Sequence, residues 1–353
     1  MNKELISRLL KKTGIVLGVY FIIGLIYIAF SLSSKVKLYE KGGNDIDDTK
    51  LNLTYNDTYI YEEDILDNNL SNFVSCYQEP MKQEDFTNEM KNKYNEIEKY
   101  FSNSHEKVSF SYEDLYTGLH ISYNENQTYF AASAIKAPVI LYVYKLYTDG
   151  KLDLNTVLTY QKQHYVGGSG YIQFQPVGST YTIKELSRRA IVDSDNIAYT
   201  MLSYYVSNKG VKDYWKNLGA NYFWSGNIWG SITSHDGSIY MKQLYRFINE
   251  NSQVKEELLN YHFNSVARLI FLDNKDIKIA HKSGWNSAAI HDTAIVFDKQ
   301  PYVLAIMSLK GNLNFYPFFN RASNLINEFH NLYWQEKSSY CYDKVFTKNK
   351  NAQ

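Results

Sequence analysis

The chain has 353 residues, 44% hydrophobic and 21% charged, which is enough apolar content to bury a sizeable core. Lys and Arg together number 37, as do Asp and Glu, and this balance gives no reason to expect nucleic acid as a partner. The two cysteines and eight histidines fall in no metal-ligand spacing, so a metal enzyme is disfavoured and no cofactor is implied.

Lys3, Arg8, Lys11 and Lys12 precede an uncharged apolar run over residues 13–32. A run of this length crosses a bilayer as a helix, at about 1.5 Å per residue. The positive residues stay in the cytoplasm, so the sequence predicts a cytoplasmic segment 1–12, a transmembrane signal anchor 13–34, and export of all that follows. A cleaved signal peptide, with the protein then secreted, is the rival reading. Ser31-Leu32-Ser33 is a weak small-x-small site, but the apolar core of such peptides usually spans only about 7–15 residues. Residues 35–80 are rich in Asn, Asp, Tyr and Lys without a sustained period, and read as an extracytoplasmic stalk.

Phe86, Met90, Tyr94, Ile97 and Phe101 recur at steps of four and three, predicting an amphipathic helix. Val108, Phe110 and Tyr112 then alternate, as do Ile121 and Tyr123 after a turn near Gly118, predicting a hairpin. Residues 133–147 read as a buried helix ended by Asp149-Gly150, with Pro138 expected to distort its first turns. Thr182 and Glu185 have the spacing of a capping box for the helix carrying Leu186 and Ile191, and a second helix follows over 197–205. Strands at 277–281, 293–297 and 302–308 precede a last helix that uses Ala322, Leu325, Ile326, Phe329 and Tyr333. This order describes an α+β chain whose sheet is drawn from both ends, with a helical block between. It predicts one domain over 81–338 and a tail over 339–353.

Three short motifs occur in order: Ser133-Ala-Ile-Lys136, Ser194-Asp195-Asn196 and Lys282-Ser283-Gly284. The first pattern alone carries little weight, because Ser34-Lys-Val-Lys37 and Ser104-His-Glu-Lys107 share it. The weight lies in the set, its order and its spacings of 61 and 88 residues. On a helix, residues i and i+3 share a face, which brings Lys136 to Ser133. A serine hydroxyl is a poor nucleophile until a base takes its proton, and a lysine of lowered pKa can be that base. Ile135, Val139 and Ile140 supply a dry setting there, which Ser34 and Ser104 lack.

The set resembles the serine β-lactamases and penicillin-binding proteins, most closely the class A β-lactamase branch, over about residues 83–336. Gly168-Ser-Gly170, Thr233-Ser-His-Asp236, and His281 through Gly284 followed by His291-Asp292 add to the resemblance. It implies a five-stranded antiparallel sheet flanked by helices, plus an all-helical subdomain, with the site between them. It implies acyl transfer from a β-lactam or a D-Ala-D-Ala-like peptide through an ester on Ser133. Lys136 would be the base, and Ser194 would relay a proton to the leaving nitrogen. Asn196 would hold the substrate amide, while Lys282 and Ser283 would take its carboxylate. The N–H groups of Ser133 and Trp285, the latter just past Gly284, would form an oxyanion hole. The fold also implies that the first and last helices are neighbours, which makes a Cys76–Cys341 disulfide a hypothesis.

One departure stands out. Class A β-lactamases carry a loop Glu that activates the deacylating water, yet residues 219–230 contain no Asp or Glu. Glu256 and Glu257 read as solvated helix residues. A β-lactamase-like hydrolase, a slowly deacylating D,D-peptidase-like enzyme and a non-catalytic peptidoglycan or β-lactam sensor therefore all stand as readings.

Overall fold

The computed structural model of the chain describes residues 62–220 and 229–347. The predicted cytoplasmic segment, the anchor and most of the stalk lie outside the described residues. Among the described residues no helix is long and apolar enough to cross a membrane.

In chain order the elements are α1 (Glu62–Gln78), α2 (Asn88–Ser102), β1 (Val108–Asp114), β2 (His120–Tyr123), β3 (Tyr129–Phe130), a 3₁₀ turn (Ala132–Ile135) and α3 (Lys136–Thr148). Then come β4 (Val157–Thr159), β5 (Thr180–Thr182), α4 (Ile183–Val192), α5 (Asn196–Tyr205) and α6 (Asn208–Asn217). The chain closes with β6 (Ser231–Ile232), α7 (Ser234–Glu250), α8 (Ser252–Phe263), β7 (Lys278–Trp285), β8 (Ala289–Phe297), β9 (Tyr302–Leu309) and α9 (Phe315–Tyr342).

The chain divides into two units, Gln78–Tyr333 and the two flanking segments together. In the flanking unit, α1 occupies part of the stretch read as stalk, and Cys76 at its end is disulfide-bonded to Cys341, with Cα atoms 5.7 Å apart. Phe73, Tyr340 and Phe346 pack around that bond. A lone segment of such low hydrophobicity would not hold a helix, so periodicity could not find it; the covalent link and its apolar cluster supply the missing partner. Cys341 lies inside α9, which continues into the segment read as tail.

In the larger unit the main sheet has the order β2-β1-β9-β8-β7, and every pairing is antiparallel. Strands predicted from the two ends of the chain thus meet, with β9 paired directly to β1. Residues 289–296 of β8 are all buried, as expected of an inner strand covered on both faces. The helical block, α3 to α6 with α8, shares a core that includes Val139, Ile140, Leu186, Ile191, Leu202 and Trp215.

Two expectations about helix starts are revised. The helix predicted over 133–147 begins as the 3₁₀ turn and becomes α-helical only at Lys136. Pro138 therefore sits in the first α-helical turn, where its missing N–H has no intrahelical partner to lose. Thr182 accepts from the Glu185 N–H at 3.1 Å, but Glu185 turns its carboxylate to Arg189, leaving half a capping box. A complete box is present at Thr233 and Asp236, opening α7.

Candidate active site

The turn carrying Ser133 is set by its neighbours on both sides. β3 pairs with β6, the Ala131 N–H donates to the Gly230 carbonyl at 3.3 Å, and His291 bonds the Phe130 carbonyl at 2.8 Å. Burial pulls the His291 pKa down to about 4, so it serves as a neutral tie between sheet and turn. Ala132 holds φ +46°, a left-handed conformation that costs a non-glycine residue about 1 kcal/mol or more and persists only under such constraint.

β7 then passes directly behind the turn. A Cβ on Gly284 would lie 2.4 Å from the Ala134 nitrogen and 2.9 Å from the Ser133 nitrogen. Only glycine permits this approach, which puts the Ser133 N–H beside the strand end that carries Trp285.

Lys136, at the start of α3, is fully buried with its Nζ 3.0 Å from Ser133 Oγ. The same nitrogen lies 2.5 Å from the Ser194 carbonyl, 3.2 Å from Ser194 Oγ and 2.7 Å from Asn196 Oδ1. An ammonium has three N–H bonds for these four oxygens, whereas a neutral amine has a lone pair that can accept the Ser133 proton. Burial, reinforced by the positive charge of Lys282, holds the Lys136 pKa well below the ordinary lysine value, with Asp195 opposing. The Trp229 ring stands 5.5 Å from the same nitrogen.

The second motif divides its labour. Asp195 caps α5, its Oδ1 accepting from the N–H groups of Ile197 and Ala198 at 2.9 and 3.0 Å. Its Oδ2 accepts from Tyr171 and Ile172 at 2.8 and 2.9 Å, tying down the loop that begins at Gly167. A Cβ on Gly170 would overlap Asp195, which explains the second glycine of Gly168-Ser-Gly170. Ser194, at φ +52°, and Asn196 flank the cap and face Lys136. Asn196 also donates to the Gly167 carbonyl at 2.8 Å. Lys282, on β7, places its Nζ 3.2 Å from Ser194 Oγ and 3.0 Å from the Ser283 carbonyl; burial lowers its pKa to about 8.

The structure thus gathers Ser133, Lys136, Ser194, Asn196, Lys282 and Gly284 within one constellation. Ser283 turns its hydroxyl to the Val266 carbonyl at 3.2 Å, and the Trp285 side chain is 53% exposed. His281 is structural: it bridges Asp292 and the Ser265 carbonyl, both at 3.0 Å. Glu257 is not a free, solvated carboxylate. It binds Tyr144, Tyr261 and Lys184, well along α3 from Lys136, while Glu256 is exposed. Among the described residues no group of His, Cys, Asp or Glu could hold a metal ion.

The profile of the β-lactamase enzyme family matches residues 92–336. The chain belongs to that family. No curated protein matches it. Among solved structures, the L158E mutant of PBP-A, an acyl-enzyme complex with penicillin G, superposes with a TM-score of 0.63 at 20% identity, covering 69% of this chain and 97% of that one. TLA-1 extended-spectrum β-lactamase gives 0.60 at 18%, covering 69% and 99%. A β-lactamase from Sphaerobacter thermophilus gives 0.59 at 17%, covering 69% and 96%. At these identities the likeness establishes the β-lactamase fold.

Within this family member, sequence reasoning missed the Gly167 carbonyl that orients Asn196 and the Trp229 ring above Lys136. The glycines at 167, 168 and 170 were the available signal for the first. Nothing local signals the second, because Trp229 reaches Lys136 only through the tertiary fold.

Proposed function

We propose that this family member is a membrane-tethered, extracytoplasmic serine acyl-transfer enzyme that forms an ester on Ser133 with β-lactams or D-Ala-D-Ala-like peptides. The observation that carries the reading is the Lys136 nitrogen, dry, of lowered pKa and 3.0 Å from Ser133 Oγ. Neutral Lys136 takes the hydroxyl proton as Ser133 Oγ bonds the substrate carbonyl carbon. Ser194, in contact with both lysines, delivers a proton to the nitrogen as the C–N bond breaks. Lys282, with Ser283, attracts the substrate carboxylate, Asn196 holds the side-chain amide, and the N–H groups of Ser133 and Trp285 face the oxyanion. The positive residues before the apolar run 13–32 support the tether and the external placement of the domain.

Release of the acyl group is the slow step in this reading. Residues 219–230 contain no carboxylate, and both oxygens of Asp195 are engaged by backbone N–H groups. This favours a penicillin-binding, peptidase-like protein over an efficient β-lactamase.

The test incubates the full chain in detergent with benzylpenicillin and follows intact mass over time. A persistent adduct is expected, absent in Ser133→Ala. Fast turnover with accumulating hydrolysed drug would contradict slow release, and an adduct that survives Ser133→Ala would remove the nucleophile assignment. A chain that never reacts would point to the sensor reading. In the same assay Gly284→Ala, by pushing the Ser133 turn off β7, is expected to slow acylation about a hundredfold while the far-ultraviolet circular dichroism is retained.

A further inference from the structure

The mouth of the site holds a cation that the chemistry above leaves unused. Lys310 directly follows β9, and its ammonium lies 5.4 Å from the centre of the exposed Trp285 ring. Its backbone N–H donates to the Ala288 carbonyl at 2.9 Å, fixing the residue to the turn between β7 and β8. Phe315 backs the indole with ring centres 6.5 Å apart. No ion pair among the described residues includes Lys310. Glu106, which packs against the adjacent Gly311, accepts instead from the Asn312 N–H at 2.9 Å.

An ammonium resting on an indole face is partly desolvated, and its flexible stem is already ordered, so an anion docking there forfeits less entropy. Lys282 points the other way, into the site toward Ser194. Lys282 pairs with Thr293 and Thr293 with Ala305, five residues before Lys310, so two strand spacings and that stagger put the two backbones roughly 19 Å apart, too far for one carboxylate to engage both ammonium groups. We propose that Lys310 and Trp285 form an anion subsite selecting acyl donors that carry a second carboxylate besides the one drawn to Lys282. This rests on the reading of Ser133 as the acylated residue.

The test compares benzylpenicillin with carbenicillin, which adds a carboxylate to the same side chain. Second-order rates of Ser133 acylation are read by intact mass on the full chain in detergent. In Lys310→Met the carbenicillin-to-benzylpenicillin rate ratio is expected to fall about fivefold, the size of a partly exposed ion pair, and Lys310→Arg is expected to keep it. Raising the salt is expected to lower the wild-type ratio as well. Benzylpenicillin labelling of each variant reports that the site is folded. A ratio unmoved by Lys310→Met overturns the subsite. So does an equal loss for both drugs, which would mean that Lys310 meets the shared carboxylate. Absence of any adduct with either drug, even in the wild type, would remove the acyl-enzyme reading itself and this inference with it.

Discussion

Lys136→Ala is expected to slow acylation of Ser133 by roughly a thousandfold or more, the scale of losing a positioned base. The pH profile is the sharper readout, because it separates a base from a spacer. In the proposed reaction neutral Lys136 is the active form, and burial beside Lys282 depresses its pKa, so the second-order rate is expected to rise as pH climbs through that lowered value. Lys282 must be charged to draw in a carboxylate, and its pKa is about 8, so the rate falls again above that pH. The free protein should therefore show a bell whose falling limb disappears in Lys282→Ala. A wild-type rate that climbs without a break toward pH 10 would show Lys136 to be an ordinary lysine and remove it as the base.

Asp195→Ala is expected to be the most damaging substitution for stability. Four backbone N–H groups, on Tyr171, Ile172, Ile197 and Ala198, lose their charged acceptor at once. At about 1 kcal/mol for each donor left unpaired, the loss is about 4 kcal/mol and the drop in Tm about 10 °C, measurable by thermal unfolding. Asp195→Asn separates the two jobs of this residue. Its amide oxygen still caps α5, while its NH₂ group confronts the Tyr171 and Ile172 donors. The Tm should then recover by no more than about half. Acylation should stay slow, since Asn196 is oriented through the same loop by the Gly167 carbonyl. Equal Tm values for the two variants would contradict this division.

The fold class was readable because both of its periods are local. Alternation at 108–112 and 302–308 and the three-to-four step from Phe86 to Phe101 depend only on which face of each element is buried. Element ends were read less well where the deciding contact is distant. The 3₁₀ start of the Ser133 helix follows from β7 pressing on it through Gly284, and α1 depends on a disulfide partner 265 residues away.

The sequence by itself determined which chemistry is present: a serine with a lysine three residues on, a Ser-Asp-Asn link between two helices, a Lys-Ser-Gly strand end, and no carboxylate in residues 219–230. Types, order and spacing are properties of the chain alone. Only the tertiary structure decided what those residues do to one another. Lys136 and Lys282 are ordinary amines until folding strips them of water and sets both against one serine hydroxyl. Asp195, indistinguishable in sequence from its neighbours, becomes the anchor rather than a reactive group because two separate segments aim their N–H groups at it. Desolvation and proximity are made by packing, and no spacing along the chain encodes their size.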